Sequence, residues 1–94
     1  DLCFTKDKEI ILWHDWDPDS LISLARQMGL EAGVRYRPFV PQTRLWRKPV
    51  SRLTLREMRE HYGYTKKRGR PEKTDSRIAT LTEFFTWAVN QPRL

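Results

Sequence analysis

Positions 66 to 73 read Lys-Lys-Arg-Gly-Arg-Pro-Glu-Lys, five cations in eight residues. Such a cluster binds polyanions. Pro71 fixes its own φ and pushes Arg70 toward an extended backbone. Gly69 has no Cβ, so the chain can lie close against a groove floor. Arg68 and Arg70 are then placed to enter a narrow A·T minor groove, where the potential is most negative. Lys66, Lys67 and Lys73 are spaced to meet phosphates. Without that geometry the same residues are a solvated basic loop between two helices.

The centre of this run, Arg68-Gly69-Arg70-Pro71, resembles the core of an AT-hook, a short motif that binds the minor groove of A·T-rich DNA. The resemblance covers one short segment. It implies double-stranded DNA as the partner, with Arg68 and Arg70 in the groove and no cofactor.

The charge of the whole chain fits a polyanion partner. Its formal net charge of +6 is unevenly spread over 94 residues. Residues 1–34 hold three basic and seven acidic residues, whereas residues 35–73 hold thirteen basic and three acidic. Twelve of the eighteen cations are Arg, which forks onto phosphates and guanine edges where Lys acts as a point charge. Aromatic residues lie among them: Tyr36, Trp46, Tyr62 and Tyr64. Trp46 and Tyr64 are open to stacking on unpaired bases, while the spacing of Tyr36 and Tyr62 puts them on core faces. A membrane surface also attracts positive charge, but no helix pairs a strongly basic face with a broad apolar one. No apolar run reaches transmembrane length and no signal peptide is visible. With one cysteine, Cys3, no disulfide within the chain and no Cys-based zinc site can form. These features predict an intracellular setting, nucleus or bacterial cytoplasm. The missing initiator Met predicts a fragment of a larger protein.

Other constellations are explained by local structure. Asp15, Asp17 and Asp19 alternate as oxygen ligands for Ca²⁺ or Mg²⁺ do, but no Gly and distal Glu complete an EF-hand loop. Helix capping and the helix dipole account for Asp17 and Asp19. His14 and His61 are far apart in sequence, and no motif supplies a nucleophile or third ligand beside them. Cys3 in a strand is a core residue. The sequence therefore predicts no catalytic residues, no metal site and no enzyme.

The elements that must position the basic run follow from periodicity. Leu2 to Thr5 and Glu9 to Trp13 predict a hairpin around Lys6-Asp7-Lys8. Asp17 as N-cap and Pro18 at the first helical position open a helix. Leu21, Leu24, Ala25 and Met28 form its apolar face, and Gly29 closes it. Residues 34–40 predict a strand with Val34, Tyr36 and Phe39 inward and Arg35 and Arg37 outward. Pro38 puts it at an edge or a strand end, pairing with the hairpin into a three-stranded sheet backed by the helix. Residues 41–50 are a loop. The second helix runs from Thr54 to Tyr62, opened by a capping box of Thr54 and Glu57 and ended by Gly63. Leu55, Met58 and Tyr62 share its buried face; Arg52, Arg56 and Arg59 lie opposite, with Glu60 among them. Residues 64–73 form the basic loop. A third helix, 76–90, is capped by Asp75 or Thr74 and stopped by Pro92. Its core stripe is Ile78, Leu81, Phe85 and Ala88, widened by Phe84, Trp87 and Val89.

Residues 53–90 also resemble the second half of a core-binding domain from tyrosine recombinases. The stretch Arg77-Ile-Ala-Thr-Leu81-Thr-Glu-Phe84-Phe85-Thr-Trp87-Ala88-Val89 carries that resemblance, together with the distance from Thr54. It implies a basic loop against DNA and aromatics in the core. The first 50 residues do not supply the remaining helices of such a domain, and no catalytic segment of that family is present.

The sequence thus predicts a small α+β domain that binds double-stranded DNA, A·T-rich by its AT-hook-like segment, in a recombinase, transposase or transcription regulator. Its site residues are Arg52, Arg56, Arg59, Lys66, Lys67, Arg68, Gly69, Arg70 and Lys73. Two rivals are a binder of RNA or single strands through Trp46 and Tyr64, and a protein-interaction module with a basic face.

Overall fold

A computed structural model describes residues 2–66, 72–74 and 76–91. The fold is α+β: two antiparallel two-stranded sheets and three helices. Strands β1 (Leu2–Phe4) and β2 (Ile10–Leu12) form the expected hairpin, with Cys3 opposite Ile11. Its turn is closed by Thr5 N–H on Glu9 O (2.9 Å), and Lys8 takes a left-handed φ of 68°. Lys6 N–H donates to Leu53 O (2.7 Å), and the Asp7 carboxylate accepts from Leu55 N–H (3.1 Å). The turn is thereby fixed to the start of helix α2 (Leu55–His61).

Helix α2 forms as its sequence predicts. Thr54 and Glu57 make both bonds of the capping box. Met58 and Tyr62 are fully buried, and Leu55 packs against the core. Gly63 is not a left-handed cap. It opens strand β4 (Gly63–Lys66), and a Cβ there would come within 2.8 Å of the Lys73 side chain lying over it.

The strand around residues 34–40 also differs from expectation. β3 (Tyr36–Phe39) pairs with β4, not with the hairpin, and Tyr36 stands opposite Lys66. The hairpin instead takes residues 79–80 at its edge: Leu12 N–H donates to Ala79 O (2.9 Å), and Ile11 bridges Thr80. The faces of β3 are reversed as well. Tyr36 and Val34 are exposed, whereas Arg37 turns in and donates to Gln27 O (3.3 Å). That carbonyl is one a helix end leaves unpaired, so the guanidinium outcompetes an apolar side chain for the position.

Helix α1 (Leu21–Gln27) starts three residues later than Asp17-Pro18 suggests. Ser20 is its N-cap, accepting from Ser23 N–H, while Asp17 closes a preceding turn by accepting from Asp19 N–H (3.0 Å). Gly29 takes a φ of 77° just past the helix, as expected. The side turned inward is polar. Ser23 is buried, and Gln27 donates to Pro18 O (2.7 Å) and to Ser23 Oγ (2.9 Å). Arg47 seals this side with bonds to Asp19, Pro18 O and Gln27. The expected apolar face points to solvent, with Leu21 85% exposed and Met28 largely exposed.

Helix α3 (Leu81–Val89) is shorter than predicted. Thr80 and Glu83 form a second capping box, so residues 76–79 stay outside the helix and Ile78 enters the core from before it. Asp75 lies outside the described residues. None of the α3 side chains is buried: Phe85 is 57% exposed, and Phe84, Trp87 and Val89 are exposed too. The core is instead Cys3, Ile11, Trp13, Val40, Val50, Leu53, Met58, Tyr62 and Ile78. Tyr62 meets Trp13 edge-on, with ring centroids 6.2 Å apart.

Candidate nucleic-acid interface

The cations on α2 divide into two kinds. Arg56 is exposed and makes no ion pair among the described residues; Arg52, in the 3₁₀ turn Val50–Arg52 just before α2, is the same. Arg59 is committed within the chain. Its guanidinium donates to Ile78 O (3.0 Å) and pairs with Glu83. Arg77 pairs with the same carboxylate. Glu83 is thus held by two cations and by Thr80 N–H at the capping box. The backbone bond at Thr80 is the main reason its carboxyl is lowered to about 2, with Arg59 and Arg77 adding to it. This cluster fastens the start of α3 to α2. Arg56 and Arg59 line one shallow cleft with Asp7, Leu55 and Glu60.

Lys73 belongs to the same region. Its ammonium donates to Arg59 O (2.6 Å) and its stem covers Gly63. Lys66, the last residue of β4, is exposed at the far end of the β3–β4 pair, opposite Tyr36. Arg35 precedes Tyr36 there, exposed and without an ion pair among the described residues. Lys67, Arg68, Gly69 and Arg70 lie outside the described residues, but both flanks of their segment are defined. Lys66 is held by the sheet. On the other side, Thr74 donates from its N–H and from its hydroxyl to Tyr64 O, each at 2.8 Å. Positions 66 and 74 are therefore both fastened to β4.

No family model, curated protein or solved structure matches the chain. The site must be judged on its own residues.

Trp46, open to stacking by sequence, is half-buried and stacks on His61 with ring centroids 4.1 Å apart. The Lys48 ammonium lies 6.0 Å from the Trp46 ring. The Tyr62 hydroxyl donates to Trp46 O and accepts from Lys48 N–H (3.2 Å), which fixes this corner of the 41–50 segment. Burial raises the Tyr62 hydroxyl above its ordinary value. Tyr64 packs against Trp13, centroids 5.4 Å apart.

Sequence reasoning missed Asp15 and Trp13. Asp15 is buried and pairs with Arg26 (3.1 Å), and the Trp13 indole N–H is buried without an acceptor. A Trp-His-Asp-Trp-Asp run shows that polar groups are present, not which of them the fold encloses. Among the described residues no group of three His, Cys, Asp or Glu side chains could hold a metal ion, and no helix is long and apolar enough to cross a membrane.

Proposed function

We propose that this chain is a double-stranded DNA-binding domain, acting inside the cell as part of a recombinase, transposase or regulator. It works by binding rather than by catalysis. The observation that carries the reading is the mounting of the basic segment's two ends: Lys66 is paired in β4 and Thr74 is bonded to Tyr64 O. Fixed ends lower the entropy lost when a segment is ordered on a ligand. Arg68 and Arg70 enter an A·T minor groove, and Lys66 and Lys67 hold phosphates. Arg52 and Arg56, uncommitted to internal pairs, contact the backbone or the major groove. Arg59 and Lys73 support this surface through their bonds within the chain.

The test is binding to A·T-rich and G·C-rich duplexes across a salt series. If about six phosphates are neutralised, affinity falls about a thousandfold between roughly 50 and 200 mM salt. Arg68→Ala with Arg70→Ala should abolish the preference for A·T. Lys66→Ala with Lys67→Ala removes equal charge and should weaken both duplexes alike, because phosphate contacts carry no sequence information. A salt-independent affinity, or identical behaviour of the two double variants, would overturn the proposal.

A further inference from the structure

Arg35 and Tyr36 lie outside the set of site residues predicted from sequence, and the fold brings both to the root of the basic segment. In the β3–β4 register Tyr36 stands directly opposite Lys66. Directly opposed residues of an antiparallel pair project from one face, with Cβ atoms about 4.5–5.5 Å apart. Arg35, the residue before, lines the cavity between the hairpin and the β3–β4 pair together with Tyr36, Pro38 and Tyr64, so it belongs to the same side of the ribbon. Arg35, Tyr36 and Lys66 are all exposed. Tyr36 is 45% exposed, while its neighbour Arg37 is turned in on Gln27 O. That exchange leaves an aromatic ring in water and takes a guanidinium out of it, the reverse of what burial favours. A tyrosine suits such a place when it has a partner, because the ring packs while the hydroxyl still bonds.

The cations at this root keep their charge. Asp15 and Glu31, the carboxylates that share the cavity lining with Arg35, are both engaged by Arg26. Arg35 and Lys66 make no ion pair among the described residues. Two uncommitted cations beside one phenol hydroxyl suit an oxyanion with several acceptor oxygens. Arg forks onto two of them, Lys supplies a point charge, and Tyr donates one hydrogen bond. A phosphate of the nucleic-acid backbone is such a group.

We infer that Arg35, Tyr36 and Lys66 clamp one phosphate of the DNA backbone where the basic segment leaves the fold. This clamp rests on the duplex-binding reading and adds two residues to it. Arg68 follows Lys66 by two residues, at most about 7 Å of chain, so the clamped phosphate borders the groove that Arg68 enters. Arg35 and Tyr36 thereby fix the register of the segment on the duplex and carry no sequence information themselves.

The test is binding to A·T-rich and G·C-rich duplexes across a salt series, for the wild type, Arg35→Gln, Tyr36→Phe and Arg44→Gln. Arg35 and Tyr36 are exposed, so neither change should disturb the fold, and thermal melting checks this. Arg44 is the control, an exposed cation without an ion pair among the described residues. It follows Phe39, which ends β3 opposite Gly63, at the other end of the ribbon from Lys66. Each lost phosphate contact lowers the slope of log affinity against log salt by about 0.9, which is about eightfold in affinity at about 0.1 M salt. Arg35→Gln should show that loss on both duplexes and keep the preference for A·T. Tyr36→Phe should weaken both at least about threefold with the slope unchanged, because it removes a hydrogen bond and no charge. Arg44→Gln should match the wild type in slope and affinity. An unchanged slope in Arg35→Gln, wild-type affinity in Tyr36→Phe, or an equal slope change in Arg44→Gln overturns the clamp. Duplex binding that all three variants preserve sinks the clamp alone; a wild type that binds neither duplex sinks the duplex reading with it.

Discussion

Replacing Met58 and Phe85 separately by Ala tests where the core lies. Both belong to apolar stripes on amphipathic helices, and periodicity alone ranks Phe85 as the costlier loss. The structure reverses that order. Met58 is 0% exposed among the core side chains, so truncation removes a fully buried side chain and leaves a cavity. Such Met→Ala changes cost about 2–5 kcal/mol. Phe85 is more than half exposed and lies in a helix with no buried residue. Full burial of a Phe is worth about 1.5–3 kcal/mol, so less than half of that is at stake, and Ala's better helix propensity offsets part of it. The expected cost for Phe85→Ala is about 1 kcal/mol or less. For a domain of this size each kcal/mol moves the Tm by about 4–8 °C, so Met58→Ala should melt at least about 8 °C lower and Phe85→Ala within a few degrees of the parent. Urea denaturation with unchanged m would confirm that both effects lie in the folded state. Equal losses, or a larger loss for Phe85→Ala, would show that α3 is a core helix and that the packing described above is wrong.

Cys3 gives a second check. Its thiol donates to Trp13 O (2.9 Å) and burial raises its pKa, so alkylation should be slow in the native protein and accelerate with global unfolding; native-state reaction at the rate of a free thiol would contradict this. Tyr62→Phe keeps the ring and removes the hydroxyl that binds Trp46 O and Lys48 N–H, a loss of about 1–3 kcal/mol in thermal melts, with the Trp46–His61 stack loosening in its fluorescence. Glu83 predicts an acid limit. Its folded pKa of about 2 lies below its ordinary value of 4.5, so its contribution is full above 4.5 and disappears as pH falls through about 2. The side chain is 42% exposed and solvent screens it, so the effect is modest. Glu83→Gln should flatten the pH dependence of Tm between those values, and an unchanged profile would show that neither the Thr80 N–H nor Arg59 and Arg77 hold its carboxylate.

Some elements were legible because their causes are local. The hairpin is written in two short apolar runs around a polar turn, and helix α2 in Thr54-x-x-Glu57 before an apolar stripe. The same signature at Thr80-x-x-Glu83 was also in the sequence. Thr74 and Asp75 also read as caps, which lengthens the third helix into residues that lie outside it. The capping box prevails because it satisfies two backbone groups at once.

The sequence by itself determined the α+β class, the hairpin, the capped second helix and the concentration of positive charge between residues 35 and 73. Tertiary structure alone decided which faces are inside. An amphipathic pattern says that a helix has two unlike sides; it cannot say that there is core left to cover the apolar one. Here Ile11, Trp13, Leu53, Met58 and Tyr62 fill the interior, so the stripes of α1 and α3 are left outside, and α1 turns Ser23 and Gln27 inward. Pairing of β3 with β4 joins segments more than twenty residues apart, and four-residue strands are too short for alternation to announce them. The buried Asp15–Arg26 pair and the unpartnered Trp13 N–H arise only when the hairpin, α1 and the β3–β4 pair are brought around one cavity. Periodicity is a property of neighbours along the chain, whereas burial is a property of everything else that has folded against them.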